Sequence, residues 1–160
     1  MQRRRFISFF LACTVPLLAA FAQSPRPAPS DASIEVAKVR DGLVDAVRSK
    51  RLDDISGAFS NDGSFLTRTT GRVTGRAAIR GLFEKVLGSF TSNITMTSVR
   101  IEHSGDLAYD SGDFEETVTS TSDATKKYTV TGSYLLVLKR EHGTWLILEQ
   151  VMTDRTPVNR

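Results

Sequence analysis

The chain has 160 residues, 21 Lys and Arg against 18 Asp and Glu, a formal charge of +3 and a single cysteine. That length points to one domain with a core large enough to hold without a covalent staple, and away from a multidomain machine. A basic balance suggests a nucleic-acid partner only where the excess sits on the folded unit, and here it coincides with Arg3, Arg4 and Arg5 at the extreme N-terminus.

Those arginines head the apolar run Phe6–Ala20, which ends in Ala20-Phe21-Ala22, the small-x-small form that signal peptidase reads. Residues 1–22 are therefore expected to be a signal peptide, and the protein to be exported, periplasmic or secreted. A retained membrane anchor is the competing expectation, but an apolar stretch of about 15 residues falls short of the roughly 20 that span a bilayer. Cleavage after Ala22 removes the three arginines and Cys13 together. The remainder is charge-balanced and cysteine-free, so no disulfide, thiol nucleophile or thiolate metal site is expected. With balanced charge and no interleaved basic and aromatic array, no nucleic acid is expected as a partner, and no membrane after cleavage.

Residues 23–32 form a Pro-rich tether in which Pro25, Pro27 and Pro29 alternate. The domain proper is expected over 33–153, followed by a polar tail at 154–160. Ser33 can cap a first helix whose apolar positions Val36, Val39, Leu43 and Val47 advance by three or four. Leu52, Ile55 and Phe59 repeat that spacing in a short second helix, with Asp53 and Asp54 in its first turn, where the helix dipole favours anions. Asn61-Asp62-Gly63 then breaks the chain. After a loop from Gly71 to Gly75, the positions Ile79, Leu82, Phe83, Val86 and Leu87 predict a third helix that ends at Gly88.

From Ile94 the period changes to two. Strands are predicted at 94–103 and 107–119 around a Ser104-Gly105 turn, and at 127–140 and 144–152 around His142-Gly143. Helices first and a meander after them predict an α+β fold: three N-terminal helices packed on the concave face of a curved, mostly antiparallel four-strand sheet. A two-residue turn at His142-Gly143 pairs Arg140 with Trp145, Leu138 with Ile147 and Leu136 with Glu149 on one face. On the other it pairs Lys139 with Leu146, Val137 with Leu148 and Leu135 with Gln150. Both faces are apolar in the middle, whereas a sheet covered on one side alternates apolar and polar residues. A homodimer through the sheet is expected to cover the second face; the alternative is a central strand pair covered by the chain's own loops.

The segments RLDDISGAFSNDGSF at 51–65, TGRAAIRGLF at 74–83, GDLAYDSGDF at 105–114 and GSYLLVLKREHGTWLI at 132–147 resemble the SnoaL-like, ketosteroid-isomerase-like branch of the nuclear transport factor two superfamily. The resemblance implies a cone-shaped α+β domain with a pocket between helices and sheet, commonly dimeric. Steroid isomerases of this family use a first-helix tyrosine, an aspartate base after the second helix and a late-strand aspartic acid. The matching segments place these near Leu43, Thr67 and Leu135, and none of the three is present. Proton abstraction by that constellation is thus argued against, while other pocket chemistries of the superfamily use differently placed acids.

Residues 101–125 carry Glu102, Asp106, Asp110, Asp113, Glu115, Glu116 and Asp123 with no Lys or Arg. Alternation sends Asp113 and Glu115 to the face of Tyr109 and Ser111, and Asp110 to that of Ala108, Gly112 and Phe114. On the isomerase-like pattern the Tyr109 face lines the pocket, which makes Asp113 with Tyr109 the candidate catalytic or ligand-orienting pair; a solvated acidic strand face is the competing account. The ligand-binding residues expected are Phe59, Phe65, Tyr109, Leu135, Leu148 and Gln150. Glu149, inside an apolar strand, needs a partner, with Arg140 or a second subunit the expected source.

Arg68, Arg72, Arg76 and Arg80 recur every fourth residue, either as an anionic-ligand mouth at the third helix or as solvated arginines opposing the acidic hairpin within or between subunits. His103 and His142 lie in no ligand spacing, so neither a metal site, a Ser-His-Asp relay nor a cofactor is expected. Tyr134 and Trp145 are expected to pack in the core and the hairpin, with Arg140 stacked on Trp145. These residues point to a protein that binds a small, mostly apolar molecule. The alternatives are a pocket enzyme (isomerase, lyase or hydrolase) using a buried carboxylate, and a dimerisation module without ligand.

Overall fold

Ser30 rather than Ser33 opens the first helix: its hydroxyl accepts the Ser33 backbone N–H at 3.2 Å, which makes Ser33 the third helical residue of α1 (Asp31–Arg48). The computed structural model describes residues 30–155, so the expected signal peptide, the expected tether up to Pro29 and residues 156–160 of the expected tail lie outside the described residues. A short α2 (Leu52–Gly57) follows, and Phe59 is not part of it. Instead Phe59 begins a strand, β1 (Phe59–Thr67), which turns back into β2 (Gly71–Thr74). After α3 (Arg76–Ser89) come β3 (Phe90–Ser104), β4 (Leu107–Ser120), β5 (Lys127–Glu141) and β6 (Thr144–Asp154).

The sheet therefore has six strands, ordered β2-β1-β6-β5-β4-β3, and not the four of the C-terminal meander alone. Asn61-Asp62-Gly63 hides β1 in the sequence because it is an irregularity inside the strand and not a break after a helix. β1 pairs in parallel with β6, and its register shifts between Phe59 and Ser64. Gly63 makes that shift possible: a Cβ there would lie 2.7 Å from the Ile147 carbonyl oxygen. All other neighbouring strands pair antiparallel. The β5–β6 turn has positive φ at both His142 (50°) and Gly143 (84°), the combination a tight hairpin of matching twist requires.

The expected pairs Arg140–Trp145, Lys139–Leu146 and Leu138–Ile147 are present. Beyond them β6 carries one extra residue at Leu148, so Val137 meets Glu149, Leu136 meets Gln150 and Leu135 meets Val151. One added residue exchanges the two faces. Glu149 turns outward and Gln150 inward, the reverse of their expected placement.

The helices cover one face of the curved sheet, with α1 across β3 and β4 and α3 against β1. Val36, Ile55, Phe59, Ile79, Leu136, Leu138 and Ile147 are fully buried there. Each such side chain stabilises the fold by about 1.5–3 kcal/mol relative to exposure. The other face has no covering element among the described residues.

Candidate functional site

Asp110 is the only acid buried on the covered face among the described residues. Its Oδ2 accepts from Arg40 Nη1 at 2.8 Å, and its Oδ1 accepts from Ser98 Oγ at 2.7 Å and from Tyr134 Oη at 3.0 Å. Three elements bring donors to Asp110 of β4. Arg40 comes from α1, where it stands four residues after Val36 and three before Leu43, a cation set into the apolar stripe. Ser98 precedes a bulge in β3, where the strand runs so close to Gly112 that a Cβ on the glycine would lie 2.0 Å from the Thr97 carbonyl oxygen. Tyr134 projects from β5 beside Gly112.

Burial works against the Arg40 charge, but the hydrogen bond to Asp41 and the charge of Asp110 outweigh it and hold the guanidinium above its ordinary value. Burial, reinforced by the charge of Asp110, pushes the Tyr134 phenol upward, so it stays a neutral donor. Both Asp110 oxygens are thereby engaged and the side chain is fully buried. Such a carboxylate pins α1 to the sheet; it is not set up to take a proton from a substrate. A second pin holds the start of α1, where Glu35 Oε2 accepts from both Arg140 and Trp145 Nε1. The Arg140 guanidinium lies over the Trp145 ring at 4.9 Å, the expected stacking.

The expected site residues fall on opposite faces. Asp113 and Tyr109, the candidate catalytic pair, point away from the helices, because they sit an odd number of residues from Asp110 along β4. Asp113 is exposed, accepting from Ser133 Oγ at 3.0 Å and paired with Arg155 at 2.5 Å. Leu135 shares that open face, and Leu148 is the half-buried extra residue of the β6 bulge. Phe59, Phe65 and Gln150 lie on the covered face, all buried. Six residues expected to line one pocket therefore cannot do so, since the sheet itself separates them.

On the covered face Phe65, Gln150 and Leu136 stand side by side on β1, β6 and β5, and Phe83 of α3 packs on Phe65 with ring centroids 5.4 Å apart. Leu82 and Phe83 remain partly open to solvent and Val86, one turn on, is exposed. The open face carries a groove of about 520 Å³ over Leu107, Tyr109, Leu135 and Val137, with Glu102 and His103 at its rim. A smaller recess of about 230 Å³ lies further along, among Thr95, Thr97, Asp113, Thr131 and Arg155.

Within the chain the arginine series does not oppose the acidic hairpin. Arg72 pairs with Glu149 at 2.7 Å, Arg76 donates to the Phe59 carbonyl at 2.6 Å, Arg80 pairs with Asp53 at 2.9 Å and Arg68 lies 3.7 Å from Asp154. None of these acids belongs to the 101–125 hairpin, and it is Arg72, not Arg140, that partners Glu149. Among the described residues no group of three His, Cys, Asp or Glu is placed to hold a metal, and no helix is long and apolar enough to cross a membrane.

Solved structures share this arrangement of helices and sheet. A ketosteroid isomerase-like protein from Erwinia carotovora atroseptica superposes with a TM-score of 0.71 at 13% identity, over 78% of this chain and 96% of that one. A conserved protein from Planctomyces limnophilus gives 0.72 at 17% identity, over 78% and 96%. A hexachlorocyclohexane dehydrochlorinase, LinA type 2, gives 0.68 at 13% identity, over 81% and 92%. At such identities the likeness establishes the fold alone. No curated protein matches the sequence. The sequence pattern of the SnoaL-like domain matches residues 31–150, nearly the whole described fold. With helices, six-strand sheet and sequence pattern in agreement, this chain belongs to the SnoaL-like family within the nuclear transport factor two superfamily.

Proposed function

We propose that this protein is an exported, homodimeric binding protein that takes a small, mostly apolar molecule between α3 and the sheet. Asp110 carries the choice of binding over catalysis: the acid at the centre of the covered face has both oxygens committed to Arg40, Ser98 and Tyr134. An isomerase, lyase or hydrolase working through that carboxylate would first have to break an ion pair whose acid is fully buried. The apolar character of the ligand follows from Phe65, Phe83, Leu82 and Met152, and it agrees with the hydrophobic compounds in the names of the isomerase-like and dehydrochlorinase neighbours.

A second copy is proposed to cover the open face. Leu107 and Leu135 are exposed there beside Tyr109, Val137, Leu146 and Val151, an apolar patch that an unpartnered sheet face does not ordinarily show. Export rests on the residues 1–22 signal. A thermal-shift screen of hydrophobic phenols and carbonyl compounds tests the binding reading. Stabilisation that persists in Asp113→Asn supports a ligand on the covered face, whereas stabilisation lost in that variant would return the site to the open face.

A further inference from the structure

We infer that the molecule held on the covered face is neutral and offers a hydroxyl or N–H donor to the side-chain oxygen of Gln150; this rests on the binding reading above. Gln150 is only 3% exposed, yet its Oε1 has no hydrogen-bond partner. Its amide nitrogen has only the Met152 thioether, at 3.4 Å, a weak acceptor. The polar side chains buried as whole residues in the sheet and α2 are otherwise satisfied, Asp110 by three donors, Ser60 and Ser56 by acceptors, Ser64 by Arg72 and Ser92 by Glu116; the other buried atom without a partner, Arg140 Nε, belongs to a guanidinium already paired with Glu35 and stacked on Trp145. A buried acceptor left unpaired costs about 1–3 kcal/mol, so an under-satisfied amide in this position asks for a partner from outside the chain. Turning the amide over does not cure the deficit, because it replaces one orphan oxygen by two orphan N–H groups.

The backbone is built to put Gln150 there. Without the extra residue at Leu148, Glu149 would face the helices; the bulge turns the charged side chain out to Arg72 and brings the neutral amide in. Phe65 and Leu136 flank the amide and Phe83 covers Phe65, so a single polar anchor sits in apolar surroundings, the composition of a small-ligand site. The ligand is neutral because the side chains flanking Gln150 are the apolar Phe65 and Leu136, and the cations Arg40 and Arg140 of this face are already paired, Arg40 with Asp110 and Asp41 and Arg140 with Glu35. An anionic group would meet no free counter-charge, and a hydrocarbon without a donor would leave Oε1 as it is.

Calorimetric titration of the wild-type protein with naphthol and with its methyl ether, methoxynaphthalene, tests this without altering the fold. The ether keeps the shape and the oxygen acceptor and lacks only the donor. Naphthol is expected to bind about tenfold more tightly, the worth of one buried hydrogen bond. In Gln150→Met, which conserves volume, the two compounds should bind alike. Equal binding of both to wild type overturns the donor inference while leaving the apolar-ligand reading intact, and it would mean that water alone satisfies Oε1. If neither compound binds, the reading and the inference fall together.

Discussion

The two faces of one sheet have solved opposite problems. The covered face contains a full charge, Asp110, and surrounds it with donors from a helix and two strands until nothing is left over. The open face contains no buried charge among the described residues but exposes Leu107 and Leu135 to water, with Glu149 and Asp113 paired to Arg72 and Arg155. Around Asp110 the chain completes its own interactions; on the other face it leaves apolar surface exposed. The difference teaches that charge alone does not mark the working side of a sheet. Asp113, the more conspicuous acid, is a rim residue, and the acid in the interior is a pin.

The contrast breaks most sharply at Asp110. Asp110→Ala takes the buried partner from Arg40 Nη1, leaves Asp41 as its remaining counter-charge and strips Ser98 and Tyr134 of their acceptor; it is expected to cost about 3–5 kcal/mol, read as a fall in the urea midpoint. Leu135→Lys should act on the other face, by assembly and not by folding. Light scattering after size-exclusion should show the mass of one chain instead of two at micromolar concentration, with secondary structure unchanged; a monomeric wild type would remove the second copy from the account. Alkaline pH sharpens the interior half. Tyr134 titrates higher in the folded than in the unfolded chain, so its contribution is complete below the unfolded value of 10.0 and is lost as pH rises above it. Stability should decline there by at most about 1.4 kcal/mol per pH unit, and Tyr134→Phe should flatten that slope. The smallest effect belongs to Asp113→Asn: an exposed pair with Arg155 is worth about 0–1 kcal/mol, so folding and ligand binding should both survive it.

Periodicity made most of this architecture legible. The stripe Val36, Leu43, Val47 and the alternation on either side of His142-Gly143 point to α1 and the β5–β6 hairpin directly. What it could not show are the places where the period slips. β1 was hidden because Gly63 interrupts its alternation, and the inward turn of Gln150 because a bulge is invisible to a count of two. The Asp110 cluster left one readable trace, a lone arginine inside the apolar stripe of α1. Its acid lay seventy residues away, and sequence distance does not say which of seven carboxylates in one hairpin will meet it. Assigning the pocket to the Tyr109 face followed the family resemblance over the residues themselves, for Ala108, Gly112 and Phe114 already mark the Asp110 face as the apolar one.

The division of labour between the faces is tested most directly by methyl NMR during titration with naphthol. The account predicts that the Met152 and Leu136 methyl signals shift on the covered face while those of Leu135 and Val137 on the open face stay in place. Shifts confined to Leu135 and Val137 would contradict it.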